Sequence, residues 1–135
     1  MNKRLISIII VTICLISCVM PLIVYASEIM PRWDNASKVN ANIGFVGTSG
    51  VVSVNIQGID GVSNISATAT LYHKNWLGIW VESGEEWSYN VNQSYLSASE
   101  SFTGKSGRQY KVELIGTVTK NGYAESVSAS ATAEC

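Results

Sequence analysis

His73 is the single histidine of this 135-residue chain, the one side chain whose ordinary pKa suits general-base work near neutrality. A base needs an oriented nucleophile or an acidic partner. The chain holds no serine–histidine–acid signature, no HExxH and no phosphate-binding loop. His73 shares strand parity with Leu71, which predicts a histidine at a strand end or core edge. One histidine and one terminal cysteine do not make a zinc set. The acidic candidates are Asp34, Asp60, Glu82, Glu85, Glu86 and Glu100. Glu85 and Glu86 are adjacent, so on a strand they point to opposite faces and cannot work as a glycosidase pair. They read as a solvated loop, and Asp60-Gly61 as a turn. A calcium site from Asp60, Glu82 and Glu85 lacks the EF-hand pattern. The expectation is a protein that is not an enzyme, with no cofactor and no metal.

The aromatic residues offer more. Trp76, Trp80 and Trp87 crowd the middle of the chain with Tyr72, Tyr89 and Tyr95. If Leu71 and Ile79 face inward, alternation turns Tyr72 and Trp80 outward together. Exposed rings on a sheet face stack sugars or grip protein partners. The alternative makes Trp80 or Trp87 the bulky filler between two sheets, with room left by alanine-rich strands. Trp33 sits apart, beside Pro31 and Arg32, in a segment that could add to a sheet edge in cis or in trans. Packing in cis against its own sandwich is the simpler reading.

The elements that must position these side chains are strands. Val39, Ala41, Ile43 and Phe45 form one face of a first strand, turned by Gly47-Thr48-Ser49-Gly50. Val52, Val54 and Ile56 alternate with Ser53, Asn55 and Gln57 in a second. A turn through Asp60-Gly61 leads to a third, with Ile65, Ala67, Ala69, Leu71 and His73 on one side. Asn75 to Gly78 reads as a turn, residues 79–83 as a short strand, and residues 84–93 as loop plus an edge segment. Leu96, Ala98 and Phe102 mark a further strand. Tyr110, Val112, Leu114, Gly116 and Val118 then lead through Asn121-Gly122, the pair a type I′ hairpin requires, to Val127, Ala129, Ala131 and Ala133. About seven short strands predict an all-β, antiparallel two-sheet sandwich of immunoglobulin-like kind, with a closed barrel as runner-up. Tyr110 opens the penultimate strand after a glycine-rich corner. It is either a tyrosine corner, its hydroxyl bonded back to upstream backbone, or an ordinary core tyrosine.

The start of the chain reads as an export signal helix. Lys3 and Arg4 precede an apolar run without charge up to Glu28, broken by Pro21. Val24-Tyr25-Ala26 offers a signal-peptidase site, with the cut after Ala26. The organisation is then a signal peptide at 1–26, a tether at 27–38 and a sandwich domain at 39–135. Two alternatives remain: a retained membrane anchor, since residues 5–26 could span a bilayer, and a lipoprotein acylated at Cys18 within Leu15-Ile16-Ser17-Cys18. Against the second, residues 19–25 stay apolar. Without Lys3 and Arg4, seven basic residues face ten acidic ones, a net charge of about −3. No basic run exists, which argues against nucleic acid and anionic membrane as partners and leaves a membrane role only to an uncleaved N-terminal segment. Cys14 and Cys18 fall inside the signal, so the exported chain keeps Cys135, free or bridged to another molecule.

Several segments carry a resemblance: Glu28-Ile29-Met30-Pro31-Arg32-Trp33-Asp34-Asn35, Ala67-Thr68-Ala69-Thr70-Leu71-Tyr72-His73-Lys74, Tyr110-Lys111-Val112-Glu113-Leu114, Thr117-Val118-Thr119-Lys120-Asn121-Gly122 and Thr132-Ala133-Glu134-Cys135. Together they resemble a group of small, uncharacterised secreted proteins of Gram-positive bacteria. The resemblance implies a β-sandwich and brings no activity with it. Similar chains often carry a cysteine in the second strand, able to pair with the terminal one. Here Val51-Val52 stands in its place, so the pairing that the resemblance implies is lost. Two functions are expected from the chain as a whole. One is a secreted or surface-held module that binds a protein or glycan through Tyr72, Trp76, Trp80 and Trp33. The other is a structural envelope component linked through Cys135 or by edge-strand pairing.

Overall fold

The computed structural model describes residues 32–135. The expected signal, the cut at Ala26, Cys14, the lipid-acceptor Cys18 and Pro31 lie outside the described residues. Seven strands follow one another without a helix: β1 (Ala36–Val46), β2 (Ser49–Gly58), β3 (Val62–Lys74), β4 (Trp80–Val91), β5 (Tyr95–Thr103), β6 (Gln109–Lys120) and β7 (Tyr123–Glu134). They make a three-stranded sheet, β1-β2-β5, and a four-stranded sheet, β4-β3-β6-β7, all antiparallel. This is the expected two-sheet sandwich. In the constant-type immunoglobulin order the fourth strand lies beside the fifth. Here β4 pairs with β3 instead.

The alternation read from the sequence is what fills the core. Val52, Val54 and Ile56 from β2 meet Ile65, Ala69 and Leu71 from β3 and Val112, Leu114 and Val118 from β6, all essentially buried. Each is an inward position of a pleated strand, and the small alanines leave space for their branched neighbours. Towards one end the core turns aromatic. Phe45, Phe102 and Tyr110 lie with ring centroids 5.3–5.6 Å apart, one from each of β1, β5 and β6. Gly50 opposite Phe102 lets that ring in, since a Cβ at residue 50 would overlap it. Both sheets, all ladders and the entire core lie within residues 32–135, one compact unit that folds around its own interior.

Turn chemistry sets the hairpins. Gly47 and Thr48 join β1 to β2, with Gly47 at φ 61°, the two-residue turn whose first position needs glycine. The expected four-residue turn is therefore tighter, because Ser49 and Gly50 already pair in the ladder. Asn121 and Gly122 both take positive φ, 50° and 77°, between the paired Lys120 and Tyr123, as a type I′ turn demands.

Three local expectations are corrected. The first strand begins at Ala36, ahead of Val39, so the end of the expected 27–38 tether already belongs to β1. The expected loop plus edge segment at 84–93 is edge strand up to Val91: β4 runs unbroken from Trp80 to Val91 along the sheet edge, and Glu86 pairs with Thr70 in its ladder. The reason is a bulge. Ser83, Gly84 and Glu85 face Leu71 alone, Gly84 turns at φ 89°, and Ser83 Oγ donates to the Leu71 carbonyl at 2.8 Å. Ile79 does not face inward; it stands in the β3–β4 loop and is 55% exposed.

Candidate binding surface

The β3–β4 ladder ends at the pair Lys74–Trp80, and the loop beyond it is held by one side chain. Asn75 Oδ1 accepts hydrogen bonds from the backbone N–H groups of Leu77 and Ile79 at 2.9 and 3.0 Å. The Asn75 N–H donates to the Ile79 carbonyl, and Gly78, at φ 76°, donates its N–H to the Asn75 carbonyl. Asparagine is favoured in such turns because its short amide stands in for backbone. These four bonds centre the loop on Asn75, and its apolar side chains stand out from it. Trp76 is 91% exposed, Leu77 59%.

Behind this loop, on the outer face of the four-stranded sheet, Tyr72 and Trp80 sit half-buried. They lie on the same face, as expected, and Lys111 from β6 joins them. Its Nζ is 4.9 Å from the Tyr72 ring centroid and 5.3 Å from that of Trp80, and 2.6 Å from Glu113 Oε1. Lys74 Nζ lies 5.1 Å from the Trp80 ring. Both lysines are within reach of a cation–π contact, which orients the rings. Burial pushes the Tyr72 phenol above its usual pKa, and the Glu113 and Glu82 carboxylates add to the shift. Tyr72 therefore keeps its proton and can donate a hydrogen bond at neutral pH.

The other aromatic candidates face elsewhere. Trp87 turns inward, 6.5 Å from Phe102, and serves as the bulky filler of the alternative reading. Tyr89 also turns inward, and its hydroxyl donates to Glu100 Oε1 at 3.3 Å. Trp33 packs against its own core. The next residues clasp the β6–β7 hairpin: the N–H groups of Asp34 and Asn35 donate to the two Glu125 carboxylate oxygens, each at 2.7 Å. Asn35 is itself buried, its Nδ2 donating to the carbonyls of Val118 and Tyr123.

His73 lies half-buried at the end of β3, 6.4 Å from the Tyr110 ring, as its parity predicts. Burial lowers its pKa, with Arg108 and Lys105 contributing. No carboxylate or hydroxyl among the described residues hydrogen-bonds it. No cluster of three or more His, Cys, Asp or Glu side chains that could hold a metal ion occurs among the described residues. Tyr110 accepts the Lys105 N–H at its hydroxyl, 2.9 Å away, which is the backward bond expected of a tyrosine corner. Cys135 is free and half-buried, its Sγ 3.6 Å from the Gly47 carbonyl oxygen.

Two features of the surface escaped the sequence reading. Leu77 and Ile79 are exposed beside Trp76, whereas alternation had drawn Ile79 inward. Lys74, Trp76, Lys105 and Arg108 also line one shallow depression, although they come from the end of β3 and two separate loops.

No family model matches the chain, and no curated protein matches it in sequence. Among solved structures, similar backbones include a β-glucuronidase of Parabacteroides merdae, at 10% identity and a TM-score of 0.43. The match covers 73% of this chain but 13% of the glucuronidase. CsgH of R. palustris is similar at 8% identity and a TM-score of 0.40, covering 69% of this chain and 88% of that one. OgpA of Akkermansia muciniphila is similar at 13% identity and a TM-score of 0.42, over 76% and 30%. Likenesses at this level carry no argument about what the chain does.

Proposed function

We propose that the chain is a secreted or cell-surface, non-catalytic module of immunoglobulin-like sandwich type, which grips a protein or glycan partner through Tyr72, Trp76 and Trp80. Membership of the group of small secreted Gram-positive proteins is part of the same reading. One observation carries it: Trp76 stands 91% exposed on a loop that Asn75 ties by hydrogen bonds to the Leu77 and Ile79 N–H groups. A rigid, solvated tryptophan is costly to keep in water and loses little conformational entropy on contact, which is how binding hot spots work. Tyr72 and Trp80, held by Lys111 and Lys74, supply a second ordered patch beside it. Trp33 drops out of the contact set, because it is spent on its own core.

A glycan array and a protein pull-down, each run with Trp76→Ala and Trp80→Ala, test the reading. Binding that falls at least tenfold in either variant supports it. Binding indifferent to both substitutions removes the surface from consideration. The alternative is an envelope component bridged through Cys135, which is free and half-buried with its Sγ 3.6 Å from the Gly47 carbonyl oxygen; monomer alone on a non-reducing gel removes it.

A further inference from the structure

We propose that the end of the sandwich bearing the β3–β4 loop is a docking tip for an anionic lipid surface. The inference rests on reading that loop as a contact surface and adds its occupant; Tyr72 and Trp80, on the sheet face behind, stay available to another partner. Three apolar side chains, Trp76, Leu77 and Ile79, are 91%, 59% and 55% exposed beyond the last ladder pair, with Trp76 on the wall of the shallow depression that Lys105 and Arg108 also line. Val46, on the β1–β2 hairpin at the same end, is 86% exposed. That hairpin is tied to the β5–β6 loop, where the Gly104 N–H donates to the Thr48 carbonyl.

The cations decide the partner. Lys74 flanks the tip on β3, and Lys105 and Arg108 come from the β5–β6 loop to line the same depression as Trp76. Arg108 and Lys105 lie close enough to His73 to disfavour its protonation, an independent sign that positive charge gathers here. The chain as a whole is slightly acidic, so this end is the exception. Glu134, opposite Gln109 on β7, and Glu82, behind Trp80 on the sheet face, are the acids on neighbouring strands. Tryptophan prefers the lipid–water interface, with apolar neighbours inserted below the headgroups and lysine or arginine level with the phosphates. Exposed apolar side chains at the tip with cations set beside them have that layout.

The test uses residues 32–135, which hold the complete sandwich, and sedimentation with vesicles of phosphatidylcholine alone or mixed with phosphatidylglycerol. The mixed vesicles are expected to bind the protein, less so at high salt, and the neutral ones to leave it in solution. Lys105→Gln with Arg108→Gln lowers partitioning by about 25-fold, taking about fivefold for each cation. Trp76→Ala lowers it by about tenfold. Tyr123→Ala, an exposed ring on the β6–β7 hairpin at the other end of the strands, leaves it unchanged. A lipid-borne quencher dims wild-type fluorescence, and Trp76→Phe keeps the binding but loses that quenching. Failure to bind the mixed vesicles overturns the proposal, as does binding that is indifferent to the tip variants or abolished by Tyr123→Ala. If vesicles are ignored while Trp76→Ala and Trp80→Ala abolish capture of a protein, the lipid proposal falls and the interaction module stands.

Discussion

Tyr110 and His73 sit side by side and show how much one side chain can decide. The Tyr110 hydroxyl accepts the Lys105 N–H, so it fixes the β5–β6 loop while its ring closes the aromatic end of the core. Tyr110→Phe keeps the ring and orphans the amide. A loss of about 1–2 kcal/mol is expected in urea unfolding, with the fold unchanged by circular dichroism. His73 carries a different liability. Its folded pKa lies below the ordinary 6.5, through burial first and Arg108 and Lys105 next. As pH falls below 6.5 the unfolded chain takes up the proton before the folded one does, so stability declines on acidification until the folded imidazole is also charged. Thermal unfolding from neutral to mildly acidic pH is expected to show that decline, and His73→Asn to reduce it. An unchanged pH profile in the variant would remove His73 from the account.

Among the elements, the β6–β7 hairpin and β4 lie at opposite extremes. The hairpin was legible because Asn121-Gly122 encodes its own turn, and the alternation on each side names the faces. Gly122→Ala forces a Cβ onto a residue at φ 77° and is expected to cost about 1–2 kcal/mol by chemical denaturation. β4 was not legible. Gly84 and the paired glutamates look like a loop when read alone, yet the edge of a sheet tolerates charge on its solvent side and a bulge absorbs the glycine. The Asn35 clasp was hidden for another reason. Its partners, Glu125, Val118 and Tyr123, lie far along the chain, and no local pattern announces them. Asn35→Ala leaves buried carbonyls unpaired and is expected to cost about 2–3 kcal/mol and to raise amide exchange at Val118 and Tyr123.

For the molecule as a whole, the two long sides of the sandwich differ. β1 runs close beside β7, whereas β4 and β5 barely touch. On that open side two inward contacts link the sheets: Trp87 with Phe102, and the Tyr89 hydroxyl with Glu100. Burial raises the Tyr89 pKa to about 12, helped by the Glu100 carboxylate. The folded state keeps this proton while the unfolded chain releases it near 10.0, so the stability it contributes is present below 10.0 and fades as pH rises towards about 12. Ultraviolet titration is expected to show a late phenol that disappears in Tyr89→Phe and moves to lower pH in Glu100→Gln. A late phenol surviving in Tyr89→Phe would mean that another tyrosine bridges the gap.

The sequence alone determined which residues of most strands point inward, where the tight hairpins turn, and that the product is a two-sheet sandwich. Those are consequences of a two-residue pleat and of glycine's freedom at positive φ, both readable within a few neighbouring residues. Only the tertiary structure decided that β4 lies beside β3, that Asn35 is locked under a distant hairpin, and that Lys74, Lys105 and Arg108 gather around Trp76. Such neighbourhoods depend on register between strands far apart in the chain, and a local pattern holds no record of register.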